Sequence, residues 1–412
     1  MNRLLLACII TISFQPLFAQ SLLLTQLKQH ITYLAADELE GRQTGSKGER
    51  LAYEYISKYY QQLGLKPVGD NGTYIQAFPF TIKANPHDTI VVIKDTSAKT
   101  AHNIAAYLDN GAATTVVIGA HYDHLGYAEY GNSLYAGTEH LIHNGADDNA
   151  SGTAAVLELA RILKSSTAKK NNYLFVNFSG EELGLYGSKY FVEHLPIGIA
   201  PINYMLNLDM VGRLRNDGGL ALGGVGTSPS FTSLLNHLAS DSFAVKKTES
   251  GVGPSDHTSF YLKNYPVLFF FTGTHSDYHK PSDDVEKINF QGEANVINYL
   301  VTIVDSLDNK GKLVFTKTKN EDNKETPKFK VTLGIMPDYV YNGTGIKIDG
   351  VSDGKPAAKA GMQTGDVIIA LGKMKVTDMQ SYMTALAAHK KGDSVKAKVM
   401  RDGKVKKLNV TF

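Results

Sequence analysis

TTVVIGAHYDHLG, residues 114–126, is the stretch on which the reading of the fold turns. It opens with a short run, 114–120, that shows no polar alternation. A strand covered on both faces has this pattern, because neither face meets water. Residues 173–178, 204–208 and 267–271 repeat it. Helical spacing fills the intervals at 154–163 and 231–238. An earlier helix is marked by Leu51, Tyr55, Ile56, Tyr59 and Leu63, with Gly64 as its stop. Strands alternating with helices predict an α/β fold, a mixed, mostly parallel sheet sandwiched between helices. In such sheets the ligand site lies beyond the carboxyl ends of the strands.

Polar clusters stand at those ends. The first run delivers His121 and Asp123. GADDNASG, residues 145–152, opens a helix with Asp147 and Asp148, and SGEELG, 179–184, sets Glu181 and Glu182 after a strand. NLDM, 207–210, ends a strand in Asp209, and THSDYHKPSDD, 274–284, carries His279 in a loop of turn-forming residues. Singly, each cluster has an ordinary structural account, since acidic residues open helices and adjacent carboxylates are often a hydrated surface pair. Together they line one sheet edge with two histidines and several carboxylates. Acids so crowded repel one another and lose hydration unless cations neutralise them. The single cysteine, Cys8, excludes disulfides and thiolate sites. Imidazole and carboxylate donors suit zinc, or a related divalent ion such as Co2+ or Mn2+. One bridging Asp, with a His and a carboxylate for each of two ions, leaves positions open for water. One member of the Glu181–Glu182 pair is then free to act as a base.

The order H-x-D, GADDNASG, GEE, NLDM and YHKPSDD resembles the co-catalytic dizinc aminopeptidases of the leucyl aminopeptidase and aminopeptidase Y type. LAADELEGRQTGSKGERLAYEYI, residues 34–56, resembles their amino-terminal segment, and the likeness extends over about residues 22–308. It implies a zinc-exopeptidase-like fold, two Zn2+ ions, and peptides with a free N-terminus as substrates. It assigns His121 and Asp209 to one zinc, Glu182 and His279 to the other, and Asp147 to both. Glu181 becomes the general base, and Asp123 orients the ring of His121. A cis peptide after the bridging Asp is implied too, at Asp147–Asp148. GPSDHTSFYLKNYPV, residues 253–267, resembles the family's loop before a strand and brings Asp256 and His257 near the pocket. Tyr278 is either an oxyanion donor or a packing residue. His124, His140 and His143 read as surface histidines.

Other outcomes share this architecture. The carboxypeptidase-like relatives insert a lid before the last histidine, and the seventy residues from Asp209 to His279 are too few for one. Residues 78–102 are likewise too short for the accessory domain some relatives insert there. A dipeptidase, a one-zinc glutaminyl-cyclase-like enzyme, or an inactive peptidase fold acting as a binding protein are the alternatives.

The rest of the chain differs in charge. Residues 20–309 hold 21 basic and 30 acidic residues, whereas 310–412 hold 20 and 10. The lysine-rich stretch 310–330 reads as a linker between a peptidase domain, 20–309, and a second domain, 331–412. VTLGIM, 331–336, and PAAKAGMQTGDVIIALGKMKV, 356–376, resemble a PDZ domain of the bacterial, protease-associated kind. Such domains bind peptide or protein C-termini by strand addition; the alternative is a cap that recruits nothing. Over 412 residues, 42 basic against 40 acidic residues give no compositional argument for nucleic acid. The start, MNRLLLACIITISFQPLFAQ, has one Arg, an apolar run and small Ala19, and reads as a signal peptide over 1–19. Its apolar run is shorter than the ~20 residues of a spanning helix. The expectation is a secreted or periplasmic protein with no integral membrane segment after cleavage.

Overall fold

The structure, a computed structural model, describes residues 15–81, 99–130, 133–135, 137–215, 219–318, 331–337, 341, 343–351, 354–377 and 379–412. Among the described residues, nine strands form the first sheet: β1 (Lys66–Pro67), β2 (Ile75–Phe80), β3 (Lys99–Leu108), β4 (Thr115–His121), β5 (Asn172–Phe178), β6 (Ile202–Leu208), β7 (Leu220–Gly223), β8 (Val245–Lys247) and β9 (Val267–Phe271). Their order is β1–β3–β5–β4–β6–β9–β7–β8, with β2 also on β3. The central four, β5, β4, β6 and β9, run parallel. They are the four runs read from the sequence, each within two residues. Antiparallel pairings of β3 with β1, β2 and β5, and of β7 with β9, make the sheet mixed. The β2–β3 ribbon was not legible in the sequence, because Thr100, His102 and Asn103 break the apolar pattern of β3.

Alternate residues of the central strands enter two cores. Val116, Ile118 and Ala120 of β4 join a cluster with helices α1 (Gln15–Leu34), α2 (Lys47–Gln62) and α3 (Gly152–Lys164). Val117 faces the other way, with Leu174, Val176 and Met205, towards α4 (Tyr186–Glu193). Two further helices lie on either side: α5 (Pro229–Leu235) joins the first cluster through Phe231, and α6 (His257–Tyr261) joins the second through Phe260. A last helix, α7 (Phe290–Leu307), closes the first cluster with Val296, Ile297, Leu300 and Ile303. Each such side chain taken from water stabilises the fold by roughly 1.5–3 kcal/mol. Capping fixes where the helices begin. Ser46 accepts from the Glu49 N–H at the start of α2, and Ser228 caps α5 ahead of Pro229.

The second unit has its own core, with Leu333, Ile348, Ile368, Leu386 and Val399 at its centre. Its sheet runs β10 (Ile335–Pro337), β11 (Ile346–Val351), β12 (Val367–Leu371), β14 (Ser394–Arg401) and β15 (Lys404–Thr411), with β13 (Met374–Lys375) on β12. Helices α8 (Pro356–Lys359) and α9 (Met379–Ala387) complete it.

The segment expected to be a linker begins as part of the first unit. Leu313 is buried in its core, and its N–H donates to Oδ1 of Asn203 at 2.7 Å. Thr316 N–H reaches the Thr227 carbonyl at 2.8 Å, and Thr318 N–H reaches the Tyr261 hydroxyl at 3.0 Å. Residues 319–330 lie outside the described residues, as do residues 1–14 of the expected leader. Among the described residues, no helix is long and apolar enough to cross a membrane.

Candidate metal centre

Strand register, more than loop length, gathers the site. His121 ends β4 opposite Phe178, the last residue of β5. Glu181 and Glu182 follow that strand through Ser179 and Gly180; the turn is held by the Ser179 hydroxyl donating to Oε1 of Glu49 at 2.6 Å. Leu208 at the end of β6 pairs with Phe270 near the end of β9. Asp209 and the loop that carries His279 therefore leave the sheet side by side.

The donor atoms fall into two groups that share Asp148. Nε2 of His121 lies 3.4 Å from Oδ1 of Asp148 and 3.4 Å from Oδ1 of Asp209. Nε2 of His279 lies 3.2 Å from Oδ2 of Asp148 and 3.2 Å from Oε2 of Glu182. Ligand atoms about 2.0–2.1 Å from one tetrahedral ion stand roughly 3.3–3.4 Å apart. Both groups have that spacing, and both combine imidazole nitrogen with carboxylate oxygen. The donor set fits zinc or a similar divalent ion.

The shared carboxylate is one residue later than the expected Asp147. Asp147 turns away from both groups. Its Oδ1 accepts from the Gly212 N–H at 2.7 Å and the Ser151 hydroxyl at 3.0 Å, and its Oδ2 faces Nε2 of His275 at 3.1 Å. The two adjacent carboxylates leave the turn after Gly145, a residue in the left-handed region (φ +57°), in different directions. Identical neighbours gave the sequence no means of telling which faced the site. The cis peptide is displaced by the same single step, to Asp148–Asn149 instead of Asp147–Asp148. Asp283, which was not singled out, holds this turn: its Oδ2 accepts from the N–H groups of Asp147 and Asp148 at 3.0 and 3.1 Å.

Asp123 orients His121 through its backbone. The His121 Nδ1 lies 3.1 Å from the Asp123 carbonyl oxygen and 3.7 Å from its Oδ1. The carboxylate is engaged by the Glu181 N–H at 3.2 Å and the Thr44 hydroxyl at 2.9 Å. One residue thus steadies both the expected ligand His121 and the expected base Glu181. Two histidines read as surface residues are buried. His124 Nδ1 lies 2.9 Å from Oε1 of Glu182, and His143 Nε2 lies 2.7 Å from the Ser133 hydroxyl. His140 is exposed and stacks on Tyr127 at 4.4 Å.

Arg42 braces the site from behind, a role that no motif in the sequence marks. Its buried guanidinium donates to the carbonyls of Leu34, Tyr122, Asn144 and Gly145, at 2.5, 2.8, 2.7 and 3.0 Å. It lies inside the quoted segment 34–56, but nothing in the sequence aims it at the two loops on either side of the site. Burial lowers its pKa to about 10, against the opposing charges of Asp123, Asp148, Asp283 and Glu182.

The electrostatics divide the carboxylates. Burial raises Glu181 well above the usual range, and Asp209, Asp256 and Glu182 push the same way. Burial also acts to raise Glu182 and Asp148. The charge of His279 nevertheless holds Glu182 at about 2, and hydrogen bonds to His121 and His279 hold Asp148 well below the usual range. These groups open onto one shared pocket, whose other walls include Met210, Pro254, Phe269, Phe271 and Tyr278. Tyr278 stacks on His279 at 3.9 Å. His257 lies buried against Phe269 at 4.4 Å, and burial lowers its pKa to about 3. Asp256 precedes α6 without capping it, and burial pushes its carboxyl up to about 7.

Residues 103–304 match the model of peptidase family M28, and residues 316–412 match that of a PDZ domain. The chain contains a peptidase family M28 domain followed by a PDZ domain. It is 28% identical over 270 residues to leupeptin-inactivating enzyme 1 of Streptomyces exfoliatus, covering 64% of this chain and 52% of the relative. The chain thus spans about half the length of that relative. It is 31% identical over 156 residues to aminopeptidase YwaD of Bacillus subtilis, 35% of this chain and 34% of that one. A Zn-dependent exopeptidase from Parabacteroides distasonis superposes with a TM-score of 0.54 at 15% identity, over 68% of this chain and 97% of that structure. The superposition shows that the M28 unit has the zinc-exopeptidase fold.

Proposed function

We propose that this M28 member is a secreted or periplasmic aminopeptidase that holds two divalent ions, zinc in the first instance, and removes N-terminal residues from peptides. The observation that carries the reading is the shared Asp148, with one oxygen turned to the His121–Asp209 group and the other to the His279–Glu182 group. His121, Asp148 and Asp209 would hold one ion, and Glu182, Asp148 and His279 the other. Bound ions would supply a polarised water and a Lewis-acid partner for the peptide carbonyl.

The protein's own residues do the rest. Glu181 accepts the attacking water's proton and returns it to the leaving amine. Its N–H is fixed by Asp123, and its burial favours holding a proton between the two steps. The substrate's free α-amine is received by the acidic pocket, where Asp209 and Glu181 both stand. At the PDZ domain, β10 ends the strand order among the described residues with β11 on one side, an arrangement that suits an added strand from a peptide or protein C-terminus. The exported location rests on the leader-like residues 1–19.

The test is release of p-nitroaniline from aminoacyl-p-nitroanilides, each run beside its N-acetylated twin. Cleavage of the free-amine forms alone, lost on chelation and regained with zinc, is the expected result. Cleavage of the acetylated twins would remove the exopeptidase reading. Cyclisation of N-terminal glutamine without peptide cleavage would replace it with the cyclase reading. Glu181→Gln is expected to keep its metal while kcat falls by 10²-fold or more.

A further inference from the structure

His124 follows the H-x-D motif directly, and neither the ligand set nor the proposed chemistry uses it. It is buried, and its place is built from several directions. Its backbone N–H points to the Arg42 carbonyl at 3.4 Å, and it bridges to Gln43. Its ring packs against Gly145, where an added Cβ would stand 2.5 Å from the ring carbons Cγ and Cδ2. It meets the ring of His279 edge-on at 5.8 Å. A histidine fitted this closely beside the site calls for a role.

The distances divide the two oxygens of Glu182. Oε2 lies 3.2 Å from Nε2 of His279, and Oε1 lies 2.9 Å from Nδ1 of His124. The first is the spacing of two ligands on one ion, and the second is that of a hydrogen bond. Nδ1 of His124 is 3.8 Å from Oδ2 of Asp148, longer than the ligand-to-ligand separations within either group. We propose that His124 is a positioning residue for the second metal position, its Nδ1–H donating to Oε1 of Glu182 so that Oε2 alone is presented beside His279 and Asp148. The proposal rests on the two-ion reading. Without the donor, the Glu182 carboxylate can rotate and divide its oxygens differently, and the site loses its preset geometry. Removing an outer partner of this kind typically costs 10–100-fold in metal affinity.

The experiment is zinc titration of the metal-free, full-length protein by calorimetry, with Co2+ absorption as a second readout. The variants are His124→Ala, which removes the donor, and His124→Asn, whose amide N–H lies close to the place of Nδ1. The wild type is expected to bind two equivalents. His124→Ala should weaken one equivalent by 10–100-fold and leave the other unchanged, and His124→Asn should restore most of the loss. Two equivalents at wild-type affinity in His124→Ala would overturn the proposal while leaving the two-ion reading intact. Loss in both variants, with a Co2+ spectrum showing one nitrogen ligand fewer, would make His124 a ligand instead and overturn the positioning role. A wild type that binds only one equivalent would overturn both readings at once. If the Ala variant does not fold, His124→Asn decides alone: near wild-type affinity supports the proposal, and a 10-fold or greater loss contradicts it.

Discussion

At the scale of single residues, Asp147 and Asp148 show how little separates a ligand from a brace. Both are buried, adjacent and chemically identical. Asp148 offers its two oxygens to two histidines, while Asp147 ties the Gly212 N–H, Ser151 and His275 into one cluster. Their asparagine variants are therefore expected to part company. Asp148→Asn removes the charge shared by both groups and should abolish binding of at least one equivalent of zinc. Asp147→Asn should keep both equivalents and lower stability by about 1–3 kcal/mol, because buried partners lose a charged acceptor. Metal analysis and denaturant unfolding of the two proteins check this, and the reverse pattern would return the shared position to Asp147. The types of residue that make the site were legible in the sequence, since strand-end histidines and carboxylates have few other uses when they cluster. Which of two neighbouring aspartates faces inward depends on backbone direction in a non-helical turn, with Asp148 at φ −105° and ψ 93°. No side-chain pattern encodes that.

At the scale of elements, the loops around the site depend on parts distant in sequence. Arg42 satisfies carbonyls from the end of α1, from the turn after β4 and from the turn before α3. Arg42→Met keeps the bulk and removes every donor, leaving those carbonyls unpaired in a buried place. A loss of about 2–4 kcal/mol is expected, with Arg42→Lys intermediate because an ammonium cannot span the same fork. Chemical denaturation checks it, and a change below about 0.5 kcal/mol would show the brace to be idle. Helix α7 carries a different liability. Glu293 lies fully buried in its first turn, its oxygens have no hydrogen-bond partner among the described residues, and burial raises its pKa well above the usual carboxylate range. A carboxyl raised in the folded state keeps its proton there after the unfolded chain has released it, so this group lowers stability as pH rises above about 4.3. Glu293→Gln should therefore gain on the wild type progressively from pH 5 to pH 8. Denaturant midpoints measured across that range decide the matter; a constant difference would mean that Glu293 ionises normally. Such an acid cannot be picked out by pattern, since Phe-Gln-Gly-Glu at a helix start reads as an ordinary acidic first turn.

At the scale of the whole molecule, the boundary between the two units was the least legible feature, for a physical reason. The stretch 310–330 has the composition of a linker, and its lysines and threonines hide apolar anchors at Leu313, in the first core cluster, and at Phe315, which packs beside Tyr261. Leu313 is 5% exposed and belongs to the core of the first unit, whereas its neighbour Val314 is 67% exposed. Asn203 fixes the segment through its Oδ1 on the Leu313 N–H and its Nδ2 on the Gly311 carbonyl. Farther on, the Gly251 N–H approaches the Thr318 hydroxyl at 3.4 Å, in the loop that leads to Pro254 at the pocket wall. The first unit therefore includes residues up to Thr318, and the prediction is a contrast between adjacent apolar positions. Leu313→Ala should destabilise the protein by about 2–5 kcal/mol, as a buried leucine does when its cavity cannot collapse. Val314→Ala should change it by no more than about 0.5 kcal/mol. Peptidase units ending at residue 309 and at residue 318 should differ in the same direction, the longer being the more stable. Thermal and denaturant unfolding of the four proteins would settle the boundary. Equal effects at 313 and 314, with equal stability of the two truncations, would place it at 309 and return residues 310–318 to the linker.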